Sequence, residues 1–230
     1  MDYDCIFING DSYSAPLPNI KTYGDFLSEH YKIPVKNLAL PGSNNPRILR
    51  TSIEQVHKLK EEYNNPLVLV GWTFIRRTEV WYHGNHQGVL KAITDSEQSR
   101  FVSLDMVVNY GEATLEQKAI FYDEQGIHKQ LMDYYTNLYM FAHTLEAKNI
   151  DYRFFSSAKN TAYPIHSFPY INSLAQVQWV ANNPRIFKLD EFCVSDWAKE
   201  NDPDHDTVSG HLSEDGHKKF TRFILDNLID

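Results

Sequence analysis

Residues 4–14 read Asp4-Cys5-Ile6-Phe7-Ile8-Asn9-Gly10-Asp11-Ser12-Tyr13-Ser14, a short apolar run that breaks at a glycine. The run has the length and composition of a strand buried on both faces, and Gly10 ends it. Open α/β sheets hold their reactive groups in the crevice outside the carboxyl ends of the strands. As a first, central strand this one would deliver Ser12 to such an end. Gly-Asp-Ser is also ordinary turn chemistry, so the rest of the chain has to separate a nucleophile from a turn.

Outward from this strand, helical and extended patterns alternate. Tyr23, Phe26 and Leu27 predict a helix within 19–31, stopped by Pro34. Asn37-Leu38-Ala39-Leu40 reads as a second short strand, closed by Pro41-Gly42. Asn45 and Pro46 predict a helix start, cap then proline, and Leu49, Ile53, Val56 and Leu59 give that helix one apolar stripe. Leu67-Val68-Leu69-Val70 reads as a doubly buried third strand. Ile127, Leu131, Tyr134, Leu138, Phe141 and Leu145 mark a long amphipathic helix. A fourth strand follows at 152–156 and a last short one at 185–189, whereas 199–210 is polar, acidic and loop-like. Phe220, Phe223, Ile224 and Leu228 mark a C-terminal helix.

Between 81 and 126 the periodicity is poor, and the segment reads as a lid-like or arm-like excursion with helical pieces near 115–122. No repeat or linker divides the chain. The expectation is a single domain over 1–230. Its predicted architecture is a three-layer α/β/α sandwich around a mainly parallel, flavodoxin-like sheet of about five strands.

The 230 residues are 42% hydrophobic and 13% aromatic, enough for a sizeable core. A formal net charge of -8 argues against nucleic acid or an anionic membrane as the main partner. No run approaches the ~18 apolar residues of a spanning helix. Met-Asp-Tyr-Asp at the start lacks the features of a signal peptide, so a cytoplasmic protein is expected. Cys5 and Cys193 make no disulfide framework and read as small buried hydrophobes.

With the strands placed, Gly10-Asp11-Ser12, Pro41-Gly42-Ser43-Asn44 and Gly71-Trp72-Thr73 should share the C-terminal edge of the sheet. Ser209-Gly210-His211-Leu212-Ser213-Glu214-Asp215-Gly216-His217 precedes the last helix. A serine hydroxyl is a poor nucleophile until a base takes its proton, and histidine suits that at neutral pH. Backbone N–H groups at glycine turns can hold the oxyanion of an acyl transition state.

In order and spacing these motifs resemble the blocks of the SGNH (GDSL) esterase and lipase family, over 7–225. The resemblance implies Ser12 as nucleophile, His211 as base, and the N–H groups of Ser12 and Gly42 as oxyanion donors. Gly216-His217 matches the family's usual continuation into the final helix. Two positions depart from the pattern. The family's third block carries an oxyanion asparagine where this chain has Thr73, whose shorter hydroxyl is the expected substitute, with Asn44, Asn45 and Arg76 as other candidate donors. The family's aspartate, three residues before the histidine, falls on Val208; Asp206 is the expected acid, Asp204 or a backbone carbonyl the alternatives.

Asp11, Asn44, Trp72 and Arg76 are the expected substrate contacts, and Trp72, Trp81 and Tyr82 at the same edge read as a stacking wall for a sugar or as lid core. The implied activity is hydrolysis of a short-chain acyl ester, with O-acetylated carbohydrate as one class, through Ser-His(-Asp) chemistry and without a cofactor. The rival is a degenerate relative that binds a glycan or a protein. A nucleotide binder shares the topology by analogy alone and lacks a phosphate loop. Asp202-x-Asp204-x-Asp206 starts like a calcium loop, but Thr207 and Ser213 stand where its glycine and glutamate belong, and His83 with His86 lacks a third ligand; no metal is expected.

Overall fold

The computed structural model describes residues 2–77, 126–158, 165–206 and 211–229, with the backbone of Glu79–Trp81 and Phe101–Ser103. In chain order the elements are β1 (Cys5–Asn9), α1 (Tyr23–Tyr31), β2 (Val35–Asn37), α2 (Asn45–Glu62), β3 (Pro66–Trp72), β4 (Glu79–Trp81) and β5 (Phe101–Ser103). Then come α3 (Gly126–Ala147), β6 (Asp151–Ser156), α4 (Ala175–Asn182), α5 (Val194–Asn201) and α6 (Glu214–Ile224).

Four strands form a parallel sheet in the order β2-β1-β3-β6, with β1 and β3 at its centre. Every residue of β1 and β3 is buried, as near-continuous apolar runs in a parallel sheet require. Alternate side chains serve opposite faces. Cys5, Phe7, Val68, Val70, Trp72, Tyr152 and Phe154 point to the layer of α2, α3 and α4. Ile6, Ile8, Leu67, Leu69 and Phe155 point to the layer of α1, α5 and α6. The expected α/β/α sandwich is present, with helices on both faces.

Several expected boundaries move. The sheet has four strands and not five: 185–189 contributes one isolated bridge, Phe154 to Ile186, instead of a strand. The second strand is Val35–Asn37, earlier than 37–40; it lies at the sheet edge, half-buried, so it carries no apolar run to read. The cap of α2 is Asn44, whose side chain accepts from the Arg47 N–H, and Asn45 is already helical. Part of the stretch read as acidic loop is helical, ending at Asn201, and Asp202 behind it is fully buried.

β4, which ends at the first residue of the region read as an irregular excursion, pairs antiparallel with β5 inside it. The helical pieces expected near 115–122 lie outside the described residues. No helix among the described residues is long and apolar enough to cross a membrane. Both cysteines are free and buried.

Candidate active site

The C-terminal end of β1 is tied down by Asn9, which is fully buried. Its Nδ2 reaches Ile48 O at 3.1 Å, Thr51 Oγ1 at 2.9 Å and Ser52 Oγ at 2.8 Å on α2, while its Oδ1 accepts from the Gly10 N–H at 2.9 Å. Asp11 then folds the chain back on itself. Its Oδ1 accepts from the Tyr13 N–H at 3.1 Å, and the Ser14 N–H donates to the Asp11 carbonyl at 3.0 Å. Ser12 sits at the tip of this turn, half-buried.

The turn after β2 lies beside it. The Leu40 N–H donates to the Gly10 carbonyl at 3.2 Å, and the Ser43 N–H to Leu40 O at 3.1 Å. Pro41 and Gly42 occupy the two central positions, and Gly42 has φ +77°, the left-handed value that a type II turn asks of glycine. Gly42 therefore stands one hydrogen-bonded residue pair away from the serine turn.

The end of β3 closes the third side. Asn45 Oδ1 accepts from the Thr73 N–H at 2.9 Å, and its Nδ2 donates to the carbonyls of Thr73 and Phe74 at 3.2 and 3.1 Å. The Thr73 hydroxyl donates to Asp11 Oδ2 at 2.7 Å and accepts from Arg77 Nη1 at 3.2 Å. Arg77 Nη1 also lies 3.4 Å from Asp11 Oδ2. The buried carboxylate thus has a hydroxyl, a backbone N–H and a guanidinium around it, which offsets the cost of its burial.

His211 arrives from the far end of the chain. Its Nε2 is 2.7 Å from Ser12 Oγ. Its ring meets Tyr13 edge-on, with centroids 5.0 Å apart. Burial, and then the Asp11 charge, push the Tyr13 phenol up to about 12, so this wall stays neutral. The loop that carries His211 is pinned by Asp202, whose carboxylate accepts from the Ser213 N–H at 2.7 Å and the Ser213 hydroxyl at 2.8 Å. Ser213 in turn caps α6 by accepting from the Gly216 N–H at 3.0 Å. A Cβ on Gly216 would lie 1.9 Å from Asp202 Oδ2, so only glycine admits this carboxylate.

His217, one residue further on, is buried; the loss of solvent pushes its imidazole down to about 4, against the pull of Asp202, Asp25 and Glu214.

Ser12 and His211 therefore meet at the end of β1, with the turn that carries Gly42 tied to Gly10 beside them. Asp206 is exposed and linked to His211 through the backbone, its N–H donating to the His211 carbonyl at 2.9 Å. The expected substrate contacts mostly fall elsewhere. Asp11 and Trp72 are fully buried and Asn44 nearly so. Trp72 packs edge-on against Tyr134, Phe141 and Phe154, which makes it core and not a stacking wall. Asn44 is a helix cap. Arg76 is half-buried beside the rim. The Thr73 hydroxyl, expected as an oxyanion donor, is directed at the buried Asp11 carboxylate.

Sequence reasoning missed the positioning roles of Asn9, Asn45, Arg77 and Asp202. Val208, His83, His86 and Tyr82 lie outside the described residues, and nothing is described of the Trp81 side chain. Among the described residues no cluster of three or more His, Cys, Asp or Glu side chains could hold a metal ion.

No protein-family model matches this sequence, and no curated protein is similar to it. Solved structures do share its fold. One is the psychrotrophic esterase EstA from Pseudoalteromonas sp., inhibited by monoethylphosphonate, with a TM-score of 0.50 and 13% identity over 97% of this chain and 96% of that one. Another is the acetyl xylan esterase AlAXEase, with a TM-score of 0.50 and 14% identity over 98% of this chain and all of that one (100%). At these identities the likeness is one of fold.

Proposed function

We propose that this protein is a serine esterase of the SGNH (GDSL) type, cleaving a short-chain acyl ester, with O-acetylated carbohydrate as the substrate class. The observation that carries this reading is the 2.7 Å contact between Ser12 Oγ and His211 Nε2, side chains 199 positions apart. Two esterases with the same fold, one of them an acetyl xylan esterase, support it.

In this reading Nε2 takes the hydroxyl proton as Ser12 Oγ attacks the acyl carbon. Such a base contributes ~10²–10⁴ in rate. The oxyanion accepts from the N–H groups of Ser12 and Gly42, the second presented by the turn at φ +77°. Collapse breaks the carbon–oxygen bond to the alcohol, which leaves with the proton from His211. Water, activated by the same imidazole, then releases the acyl group and restores the serine. Asp206 is the proposed acid that steadies His211, from the same loop. Thr73 supports the serine turn through Asp11 and is not counted among the oxyanion donors.

The test is turnover of p-nitrophenyl acetate by the wild type and by Ser12→Ala. The reading expects the variant to lose essentially all enzymatic turnover; equal rates would remove Ser12 from the mechanism. One observation favours a second reading, a binding protein that has lost catalysis: the Thr73 hydroxyl, at the position of the family's oxyanion asparagine, is directed at Asp11. Sugar binding without hydrolysis of any ester would select it.

A further inference from the structure

The His211 imidazole meets two consecutive residues of the serine turn. Ser12 Oγ lies 2.7 Å from Nε2, and the Tyr13 ring crosses the imidazole at 66° with centroids 5.0 Å apart. Tyr13 is 9% exposed and tied at both ends. Its N–H donates to Asp11 Oδ1 at 3.1 Å, and its phenol is hydrogen-bonded to the Ser195 side chain. Ser195 stands in the first turn of α5, where its N–H donates to the Ser157 carbonyl at 3.1 Å. Ser157, just past β6, donates from its N–H and its hydroxyl to the Trp72 carbonyl at 2.8 and 3.0 Å. The Tyr13 side chain therefore runs from the end of β1 to a brace on the ends of β3 and β6.

That brace matters because of how a histidine side chain turns. The torsion that rotates the imidazole has broad, roughly two-fold wells, so the ring's own preference does not keep Nε2 on the serine. A neighbouring aromatic ring packed edge-on supplies the restraint, provided that it is itself held. A phenylalanine would offer the same contact. The hydroxyl adds the tether to Ser195, which fixes the angle of the ring and offsets the cost of burying a polar group.

We propose that Tyr13, held through its hydroxyl by Ser195, is a positioning residue that keeps His211 Nε2 aimed at Ser12 Oγ during proton transfer. This rests on the esterase reading above and goes beyond it: Ser12 and His211 exchange the proton, and Tyr13 sets the angle at which they do.

Three variants test it. Tyr13→Leu removes the ring, Tyr13→Phe keeps the ring and removes the tether, and Ser195→Ala removes the tether from its other end. Turnover of p-nitrophenyl acetate is divided by the number of Ser12 sites that a fluorophosphonate labels at completion, so misfolded protein is not counted. In Tyr13→Leu, kcat per labelled site should fall by roughly 10–10² with KM nearly unchanged, as expected when a catalytic group is slightly misplaced. Tyr13→Phe and Ser195→Ala should each lose less, about threefold, and combining them should cost no more than either alone, since both cut one link. Wild-type kcat per site in Tyr13→Leu, or in both tether variants, overturns the proposal. So do tether losses that multiply, or a loss carried by KM, which would set Tyr13 against substrate. Failure of the esterase reading shows separately, as equal turnover by the wild type and Ser12→Ala.

Discussion

The Thr73 hydroxyl donates to Asp11 Oδ2 at 2.7 Å, joining the end of β3 to the turn that presents Ser12. Residues 62 positions apart share a hydrogen bond that is wholly buried, and Asp11 continues it into the backbone at Tyr13. The pair fixes the shape of the serine turn from behind.

Thr73→Val deletes this donor and leaves the carboxylate with fewer partners. A hydrogen bond to a charged group contributes about 1.5–3 kcal/mol, so urea unfolding should show a loss of that size, with Thr73→Ser largely restoring it. Turnover should fall along with stability. A drop of ~10²–10³ in kcat with stability unchanged would instead make Thr73 an oxyanion donor.

Asp202 does the same for the base. Asp202→Ala strands the Ser213 N–H at the start of α6 and releases the loop that carries His211. The expected cost is about 1–3 kcal/mol in stability. Because the substrate does not touch Asp202, kcat should fall more than KM changes. Gly216→Ala should mimic it, since the added Cβ would sit 1.9 Å from Oδ2. A Gly216→Ala protein as stable and active as wild type would contradict the clamp.

His217 makes stability depend on pH. Its pKa drops from the ordinary 6.5 to about 4 in the fold, because burial disfavours the charged ring. Between those values the unfolded chain binds a proton that the folded protein refuses. Stability is therefore full above about pH 6.5 and falls as pH drops toward 4, by about 3 kcal/mol in total. Denaturant unfolding at several pH values should show this slope, and His217→Phe should lack it. A variant with the wild-type slope would assign it to other groups.

How much of this could be read from the sequence follows from what each residue's neighbours are. The meeting of Ser12 and His211 was legible because each sits in a short local motif, one ending a strand and the other preceding a helix. The central strands were legible because burial on both faces leaves unbroken apolar runs, as in Leu67–Val70. The edge strand Val35–Asn37 was not, because a half-buried strand needs no such run. Trp72, Asp11 and Asn44 were placed at the correct edge but on the wrong side of the surface. Position in a motif says which strand end a residue occupies, not whether a neighbouring element covers it. Asp202 fell in a stretch read as polar, acidic loop; the signal was Gly216, a glycine inside a helix with no turn to make, but its partner emerges only when the loop closes.

The central claim is that Ser12 is a nucleophile activated by His211. Incubating the protein with a fluorophosphonate and mapping the adduct by mass spectrometry tests it most directly. The account predicts one phosphonyl group, on Ser12, with labelling slowed by roughly 10² or more in His211→Ala. An unlabelled protein, or an adduct that forms on Ser12 equally fast without the imidazole, would contradict it.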